Sequence, residues 1–562
     1  MRNLTRVLLY AFLLLACTSL HALPTAPETR IYGVVTDTSG KPIRGAMIGA
    51  TRNKELTARF SQADGKYELK LPAGAYDVKV KAFGYLNKSV TASASKSGVT
   101  NFQLTPGLRM DQLSGADVEQ LLPVNPEVHL IAAECIRCHS MTHMARGGSM
   151  TAETWKKLLP RMTDGRHWDD PYSGGEFKGS GTPPVDQKQR LDVLAHNLEK
   201  YFGPDSPYFS PNVEPPKLTD FKHVPPSDQV LHSTMHEFDI PTKDVGAHSI
   251  MTDKDGNAWF SEIQAYGNKI GKFDRKSKTF IEYSLPIADS RPHTGAFCPD
   301  GMLWMPLTAQ SIHAKLLSLD PRNGEMHTYD FPGNPVRPHA IACDKEGNIW
   351  TSGTGFLFFD THTHQFKEIK LPIPSGTDYP DATWMEWHNL PGERLPVDKT
   401  IYDVKIDSKG MVWTSIETIG WLFRYNPKTG DIKSFVPPNT VSIKSIEVDS
   451  DDNVWFAEFW GSFIGKYDQK ADKFTEYTPP TPLAMIYGLT ADKKNGYIWG
   501  TDLNGNHMTR LDPKTGQFDE VPFWTPQASA RFPGWDPLTG RVWFTEALAD
   551  KIGYVEFDPD YK

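Results

Sequence analysis

The stretch 255-DGNAWFSEIQAYGNKIGKFDRKSKTFIEYSLP-286 decides the architecture of most of the chain, because variants of it recur. Residues 451–480, DDNVWFAEFWGSFIGKYDQKADKFTEYTPP, repeat its order of apolar, acidic and turn positions. The tryptophans that anchor the repeats are Trp259, Trp304, Trp350, Trp413, Trp455, Trp499 and Trp543. Their spacings of 45, 46, 63, 42, 44 and 44 residues each suit one four-stranded blade. Residues 228–562 are therefore predicted to form a seven-bladed β-propeller.

Two details of the repeats concern how the ring is built. The long interval contains an insertion near residues 372–399, and the last repeat stops soon after KIGYVEFD at residues 551–558. We expect residues 231–241, LHSTMHEFDIP, to supply the missing outer strand of the last blade and close the ring.

Aligning the repeats on their tryptophans brings a second set of residues into register at the start of each innermost strand. Eleven residues before the tryptophans stand His248, His293, His339, Tyr402, Lys444, Gly488 and Phe532. A shift of one residue in the last two blades would place Tyr487 and Arg531 there instead. These positions are expected to ring one mouth of the channel. Three histidines in consecutive blades predict a binding site for a small molecule at that mouth.

A third position, three residues after each tryptophan, is acidic in four blades. The acids are Glu262, Glu458, Asp502 and Glu546. Most of them are expected to be solvated acids at strand ends. Together with the histidines they could still hold a divalent cation.

The segment 133-AECIRCHSM-141 carries different chemistry. Its Cys-x-x-Cys-His run is the attachment pattern of a c-type haem, in which Cys135 and Cys138 bind the haem covalently and His139 is the proximal iron ligand. A redox dithiol would need a βαβ setting, and a zinc site would need two further ligands nearby; neither is apparent. One covalent haem c is therefore predicted.

The distal iron ligand has several candidates: Met141, Met144, Met150, Met162, His143 and His167. The segments TWKKLLPRM (154–162) and VLAHNLEKYFGP (193–204) resemble the small cytochromes of sulfite-dehydrogenase type. That resemblance implies Met162 as the ligand. Alternatively, Met162 only packs on the haem-facing side of its helix.

The helical patterns around this motif predict a small all-α cytochrome c domain over residues 112–204, followed by a Pro-rich linker at 205–227. Residues 28–107 instead alternate as short strands. GVVTDTSGKPIRGAMIGA and ADGKYELKLPAGAYDVKVKAFGY resemble the carboxypeptidase regulatory-like domain. The resemblance implies an immunoglobulin-like β-sandwich that serves as a spacer or adhesion module, without a site of its own. The fold class is mainly β.

Residues 1–22 have the pattern of an export signal, with Arg2 and Arg6 before an apolar stretch. Cleavage after Ala22 would release a soluble protein, whereas Leu14 to Cys17 also looks like a lipobox that would lipidate Cys17. The mature protein is therefore expected to be periplasmic or otherwise extracytoplasmic, and to contact a membrane only through such a lipid.

Composition and the remaining cysteines narrow the function classes. The net charge of −8 and the lack of a basic run argue against nucleic acid as a partner. Cys298 and Cys343 occupy successive repeats, and we expect buried free thiols there, because equivalent positions on successive repeats are often too far apart to bond.

The repeats also resemble the virginiamycin B lyase propeller across nearly all of residues 228–558, for example in RPHAIA (337–342) and WFTEALADKIG (543–553). That family opens a cyclic ester by a magnesium-assisted elimination. The resemblance matches His293 and His339 to its catalytic histidines. The positions of the two required acids hold Arg337 and Thr354, or Arg291 and Thr308 if His248 and His293 are matched instead. The resemblance therefore implies the fold, but the residues at the two acid positions do not support the lyase mechanism.

Two main hypotheses follow. In the first, the protein is an exported c-type haem protein whose propeller channel binds a substrate or ligand, and whose haem exchanges electrons with a periplasmic donor or acceptor. In the second, the propeller is a lyase or lactonase-type hydrolase with an accessory cytochrome. A third interpretation is a docking platform without chemistry. The first is preferred because the covalent fusion keeps the domains at high effective concentration. The sequence contains no nucleotide-binding glycine motif, so it gives no sign of a second redox cofactor.

Overall fold

The computed structural model describes residues 29–136, 139–146, 150–163, 187–209, 213–214, 216–264, 267–308, 314–332, 338–353, 355–372, 401–439 and 442–558. Several predicted features lie outside these ranges: the export signal with Cys17, Cys138, His167, Arg337, Thr354 and residues 373–399 of the insertion. The backbone of Met162 belongs to a helix, but its side chain also lies outside the description.

The N-terminal domain consists of strands in two sheets around one apolar core. One sheet contains β1 (Arg30–Asp37), β4 (Lys66–Lys70), β7 (Gly98–Val99) and β8 (Phe102–Leu104). The other contains β2 (Met47–Arg52), β3 (Glu55–Phe60), β5 (Gly74–Lys81) and β6 (Lys88–Ala94). The alternating sequence of β5 buries Tyr76, Val78 and Val80 and turns the intervening lysines outwards from this core.

A small helical region follows. After a 3₁₀ turn at Met110–Gln112, its helices are α1 (Gly115–Gln120), α2 (Pro126–Cys135), α3 (Met141–Arg146), α4 (Ala152–Thr163) and α5 (Gln187–Phe202). Ser114 and Asn125 cap α1 and α2 by accepting hydrogen bonds from the third backbone N–H of each helix. The short helix α6 (Asp228–Leu231) leads into the propeller. Within the described ranges no helix has the length and apolarity needed to cross a membrane.

The remaining strands form four-stranded antiparallel blades, as the repeats predict. The first three blades contain β10 (Ala247–Thr252), β11 (Ala258–Glu262), β12 (Lys269–Asp274) and β13 (Thr279–Ser284); β14 (Ala296–Phe297), β15 (Leu303–Leu307), β16 (Lys315–Leu319) and β17 (Met326–Asp330); and β18 (Ile341–Cys343), β19 (Ile349–Thr351), β20 (Gly355–Asp360) and β21 (Gln365–Lys370). The next three contain β22 (Ile401–Ile406), β23 (Val412–Ile416), β24 (Trp421–Tyr425) and β25 (Ile432–Phe435); β26 (Ile443–Val448), β27 (Val454–Glu458), β28 (Phe463–Asp468) and β29 (Lys473–Tyr477); and β30 (Ile486–Asp492), β31 (Tyr497–Asp502), β32 (His507–Asp512) and β33 (Gln517–Pro522).

The last blade is closed by a strand from before the first one. It contains β34 (Gly534–Trp535), β35 (Val542–Glu546), β36 (Lys551–Phe557) and β9 (Ser233–Asp239). Strand β9 pairs antiparallel with β36, Phe238 facing Ile552. The segment predicted to supply the missing outer strand therefore does so, and the ring is fastened by backbone hydrogen bonds.

The anchoring tryptophans of the first five blades each close a turn within their blade, whereas the indole N–H groups of Trp499 and Trp543 have no hydrogen-bond partner among the described residues. In the first blade the indole N–H of Trp259 donates to Asp253 Oδ2 at 2.9 Å, and Asp253 also accepts from the backbone of the turn. The same contact joins Trp413 to Asp407 at 3.0 Å and Trp455 to Asp449 at 2.8 Å. One buried indole and one aspartate therefore fix the link between the first two strands of a blade.

The N-terminal domain continues the propeller rather than merely preceding it. Strand β3 pairs antiparallel with β9, Thr57 facing His236, so one eight-stranded sheet runs from the last blade into the sandwich. Met47 and Phe60 of the sandwich share an apolar cluster with Met235. The resemblance implied a spacer or adhesion module, and the structure adds that the domain is held to the propeller by a shared sheet.

Cys298 and Cys343 form a disulfide bond, so the expectation of free thiols is wrong. Their Cα atoms lie 5.5 Å apart, within the range that a disulfide spans. The reason is that both cysteines lie at the ends of innermost strands, which converge on the channel. Thr294 and Ala340, a few residues before them, form a parallel bridge between the two blades.

Candidate functional site

Irregularities in the innermost strands aim side chains into the channel. The pairing of the first two strands shifts register between Ala247 and Ile250 in the first blade, and equivalent shifts occur in the fourth, fifth and sixth blades. The residues at these bulges are His248, Tyr402, Lys444 and Tyr487. A β-bulge re-aims side chains at the point where regular pairing ends. The bulge between Ile486 and Gly488 also explains why Tyr487 rather than Gly488 occupies the channel position.

The three predicted histidines converge at this mouth. The ring centroid of His293 lies 4.4 Å from that of His248 and 4.2 Å from that of His339. Each of the three histidines offers one ligand nitrogen, and these three nitrogens lie within 4.8 Å of one another. His248 is buried and the other two are half-buried. One ring nitrogen of each has no hydrogen-bond partner among the described residues. Three imidazoles in this arrangement have the donor set of a site for a divalent transition metal.

The surroundings of the histidines keep them uncharged. Burial lowers the pKa of His293 to about 3, with the charges of Arg531 and Arg291 acting in the same direction. Burial also holds the pKa of His248 and His339 well below the ordinary value, and neighbouring positive charges add to it. Neutral imidazole is the form that ligates a metal. The nearby guanidinium groups suit an anionic ligand at the same mouth.

Two tyrosines and an arginine extend the cluster. The Tyr402 ring stacks on His339 at 3.9 Å, and its hydroxyl lies 2.6 Å from that of Tyr487. Arg531 donates to the Tyr487 hydroxyl at 3.0 Å. Phe532, which shares the alignment position with Arg531, packs its ring 5.6 Å from His248. Both alternatives considered for the last blade therefore reach the mouth.

Lys444 is placed at the mouth but is already paired. Its Nζ lies 2.6 Å from Glu417 Oε1, and both side chains are buried. The ammonium group also lies about equally close to the rings of Tyr402, Phe459 and Tyr487, at 4.9, 4.8 and 5.2 Å. Its charge is therefore balanced within the protein, and Lys444 supports the aromatic wall. Sequence spacing predicts its position but not its partner.

The acids three residues after the tryptophans do not join the histidines in a metal cluster within the described part of the chain. They are buried rather than solvated, which corrects the expectation for strand-end acids. Burial and the charge of Glu282 raise the pKa of Glu262 to about 8, and burial with Glu476 raises that of Glu458 to about 9. Each interacts with a carboxylate of the outermost strand of its own blade. Glu262 and Glu458 are therefore neutral groups of the blade interior, whereas Asp502 pairs with His507, whose Nε2 lies 2.6 Å from its Oδ2.

The predicted haem motif lies against this same mouth. Burial lowers the pKa of His139 to about 3, and the charges of His143 and of Arg531, a residue of the channel mouth, act in the same direction. Ile136 and Met141 share one apolar cluster with Tyr487 and Phe532 of the propeller. Sequence reasoning placed the motif and the histidine ring in separate domains; the fold makes them neighbours.

Asn504, which sequence reasoning missed, fixes this arrangement. Its side-chain oxygen accepts from the backbone N–H of Met141 at 2.9 Å, its amide donates to Glu119 at 2.9 Å, and its carbonyl accepts from Ala116 at 3.0 Å. A Cβ on Gly115 would lie 1.9 Å from Asn504 Oδ1, so only glycine permits the approach. No sequence signal marks Asn504, because its partners are nearly 400 residues away.

The described residues of the motif fit an attached haem. Cys135 is half-buried at the end of α2, and the backbone N–H of His139 donates to the Cys135 carbonyl at 3.0 Å, which holds these two residues close together. His139 Nδ1 is buried without a hydrogen-bond partner among the described residues. Met141 and Met144 are buried in the adjoining apolar cluster, and Met150 packs against it. The donor set and the apolar surroundings suit a haem.

Comparisons with known proteins support the two β-rich parts of the chain. Residues 394–562 match the Virginiamycin B lyase family, and residues 30–105 match the carboxypeptidase regulatory-like domain. A solved streptogramin B lyase is 22% identical over 59% of this chain and 100% of its own, with a TM-score of 0.50. The selenomethionine form of virginiamycin B lyase from Staphylococcus aureus is also 22% identical, over 58% and 100%, with a TM-score of 0.49.

These likenesses establish a virginiamycin B lyase-like propeller fold and an N-terminal carboxypeptidase regulatory-like domain. No curated protein matches the chain. Neither family match includes the helical region, so the cytochrome c domain and its haem remain predictions.

Proposed function

We propose that the channel mouth is the working site of an exported redox protein. In this proposal His248, His293 and His339 would hold a divalent transition-metal ion beside a small anionic ligand, and Cys135, Cys138 and His139 would hold a c-type haem. The observation that carries the proposal is that Ile136 and Met141, which flank His139, share one apolar cluster with Tyr487 and Phe532 at the mouth lined by the three histidines.

The residues of the chain have separate roles in this proposal. The three imidazoles offer nitrogen ligands and leave positions open for a ligand, because the described carboxylates do not reach them. Arg531 attracts an anion to the mouth and orients Tyr487 through its hydrogen bond. His139 and the two cysteines would hold the haem, which supplies a one-electron carrier when bound.

The proximity of the two groups gives the fusion of domains a physical purpose. Electrons could pass between the channel site and a periplasmic donor or acceptor without release of an intermediate carrier. Ile136 and Met141 pack in one apolar cluster with Tyr487 and Phe532, so the helical region and the channel mouth meet through apolar contacts. The contacts of Asn504 hold the spacing fixed.

Metal analysis of the purified full-length chain tests the channel half of this proposal. After incubation with Zn²⁺, Cu²⁺ or Fe²⁺ and desalting, the unchanged protein should retain one equivalent of at least one of these ions. His293→Ala with His339→Ala should abolish retention, whereas His327→Ala with His362→Ala, two exposed histidines, should not. The haem spectrum should be the same in both variants. Retention by the first double variant would remove the metal from the proposal.

A second candidate, a virginiamycin B lyase-type elimination, is favoured by the family match over residues 394–562. The same histidines would then act on a cyclic ester. Against it stands the lack of a carboxylate beside them in the described part of the chain. Incubation with a streptogramin B-type cyclic ester distinguishes the two. A linear product of unchanged mass that disappears in the His293→Ala, His339→Ala variant would favour the lyase.

A further inference from the structure

A second enclosed site lies away from the channel mouth, at the junction of the three parts of the chain. It is a cavity of about 230 Å³ that the sandwich, the helical region and the propeller line together. None of the channel histidines belongs to its wall. It can form only when the three parts are assembled, because each supplies one side.

The sandwich contributes a cation. Lys79 and Lys81 lie two residues apart on β5 and both line the cavity. Lys81 donates to the backbone carbonyl of Trp524 at 2.6 Å, and its ammonium group lies 4.0 Å from the centroid of that indole ring. Among the described residues no carboxylate lies within ion-pair distance of Lys81, and burial lowers its pKa to about 8. A buried cation without an ion-pair partner among the described residues favours an anionic guest.

Aromatic rings also line the cavity. Trp524 is seated against Gly49 of the sandwich, where a Cβ would lie 2.6 Å from the indole. Phe83 stacks on His223 with their centroids 3.4 Å apart and their planes within 4° of parallel. Both stacked rings line the cavity together with Phe523. Flat apolar walls on two sides suit a planar ligand.

Three residues with a buried polar atom that lacks a hydrogen-bond partner among the described residues also line the cavity. Ser140 is 1% exposed and its hydroxyl oxygen has no hydrogen-bond partner among the described residues. Gln527 Nε2 and Asn87 Oδ1 are likewise buried without a partner there, and all three residues line the cavity. Buried polar atoms are normally satisfied, and two of these atoms, Ser140 Oγ and Gln527 Nε2, can donate a hydrogen bond, so they suit a ligand with an acceptor group.

The neighbouring charged groups are already paired inside the protein. His507 Nε2 lies 2.6 Å from Asp502 Oδ2 and 3.5 Å from Glu520 Oε1, and His223 Nδ1 lies 3.7 Å from Asp117. Asp111 Oδ1 lies 3.0 Å from Arg109 Nε, so each of these wall carboxylates has a basic side chain beside it within the protein. Lys79 and Lys81, which have no ion-pair partner among the described residues, therefore set the charge of the guest.

We propose that this junction cavity binds a small monocyclic aromatic carboxylate. The carboxylate would accept from Lys81, Gln527 and the Ser140 hydroxyl, and the ring would lie between Trp524 and the Phe83–His223 stack. The cavity volume suits a ligand with a single ring, because it is smaller than the roughly 300–1,000 Å³ of pockets that hold drug-sized ligands. This site is separate from the channel mouth and stands whether or not the proposed redox function holds.

Its position gives such a ligand an effect on assembly. Ser140 and Thr142 line the cavity, and His139 of the haem motif directly precedes them. A ligand that contacts all three parts of the chain stabilises their assembly, because it binds the assembled state and not the separated one.

Calorimetric titration of the full-length chain with benzoate tests the proposal. Benzoate should bind, while benzamide, which has the same shape without the charge, and acetate, which lacks the ring, should bind at least tenfold more weakly. Lys81→Met should weaken benzoate binding at least tenfold, and Gln527→Leu should weaken it in the same direction. Lys41→Met, at an exposed lysine outside the cavity, should leave it unchanged.

The outcomes are decisive in both directions. Circular dichroism checks that each variant is folded, and Gln527→Leu serves if Lys81→Met is not. No heat of binding for benzoate, phenylacetate or 4-hydroxybenzoate at millimolar concentration would overturn the proposal. So would equal affinity for benzoate and benzamide, or unchanged affinity in both cavity variants.

Discussion

Glu458→Gln should make the protein more stable near neutral pH, although it removes a charged residue type from the propeller. Glu458 ends β27, is fully buried, and has neither carboxylate oxygen hydrogen-bonded among the described residues. Burial and the neighbouring Glu476 raise its pKa from 4.5 to about 9. The folded protein therefore keeps a proton that the unfolded chain releases above pH 4.5.

The magnitude follows from this difference. Between pH 4.5 and 9 the folded state binds more protons than the unfolded state, so the stability contributed by this group falls as pH rises, by about 1.4 kcal/mol per pH unit. At pH 7 the loss amounts to roughly 3 kcal/mol, and at pH 5 to less than about 1 kcal/mol. Glutamine has nearly the same shape and no proton to lose. The variant should gain up to that amount at pH 7 and little at pH 5.

Guanidinium denaturation followed by tryptophan fluorescence at pH 5 and pH 7 measures the effect as a difference between variant and unchanged protein. Glu346→Gln, at an exposed position, is the matched control and should shift neither curve. A Glu458→Gln effect equal at the two pH values, or a destabilisation at pH 7, would show that Glu458 is ionised in the fold. The hypothesis that these acids are neutral interior groups would then be wrong, and a bound cation would again be a candidate.

Three further predictions concern the helical region. Protein exported through a c-type maturation system should keep its haem through acidified-acetone extraction, and Cys135→Ala with Cys138→Ala should release the colour into the solvent. Met162→Ala should abolish the weak near-infrared sulfur-to-iron band of the oxidised protein and lower its reduction potential; an unchanged band would transfer the role to another methionine. Asn504→Ala should lower thermal stability by about 1–3 kcal/mol, since it leaves the buried N–H of Met141 unpaired, and should speed proteolysis of the helical region, whereas an unchanged digestion rate would show that this region is held by other contacts.

The repeats were sufficient to predict the blades and the ring closure. Their signals are local: an alternating strand pattern, an aspartate–tryptophan turn, and a repeat length of about one blade. The common phase of His248, His293 and His339 also predicted their convergence, because equivalent positions on innermost strands lie around one axis. The Cys-x-x-Cys-His spacing similarly defined the haem hypothesis without any fold.

Other features could not be predicted from such patterns. The choice of Tyr487 over Gly488 depends on a bulge, which shifts register by one residue without a distinct sequence signature. The Cys298–Cys343 bond lies at the other end of the innermost strands from the histidines. The alignment of the repeats does not show that neighbouring strands come close enough there for a disulfide. The acids three residues after the tryptophans were expected to be exposed to solvent, because the sequence does not show which strand ends other parts of the fold cover.

The sequence by itself determined which elements form and which side chains share a phase, since these depend on neighbours within one repeat. Only the tertiary structure decided how the three parts meet: the pairing of β3 with β9, the contacts of Asn504 with α1 and α3, and the junction cavity. These contacts join residues hundreds of positions apart through backbone hydrogen bonds and complementary shape. Many different sequences can supply both, so no sequence pattern marks them. The relation between the haem motif and the histidine mouth is therefore a property of the assembled molecule.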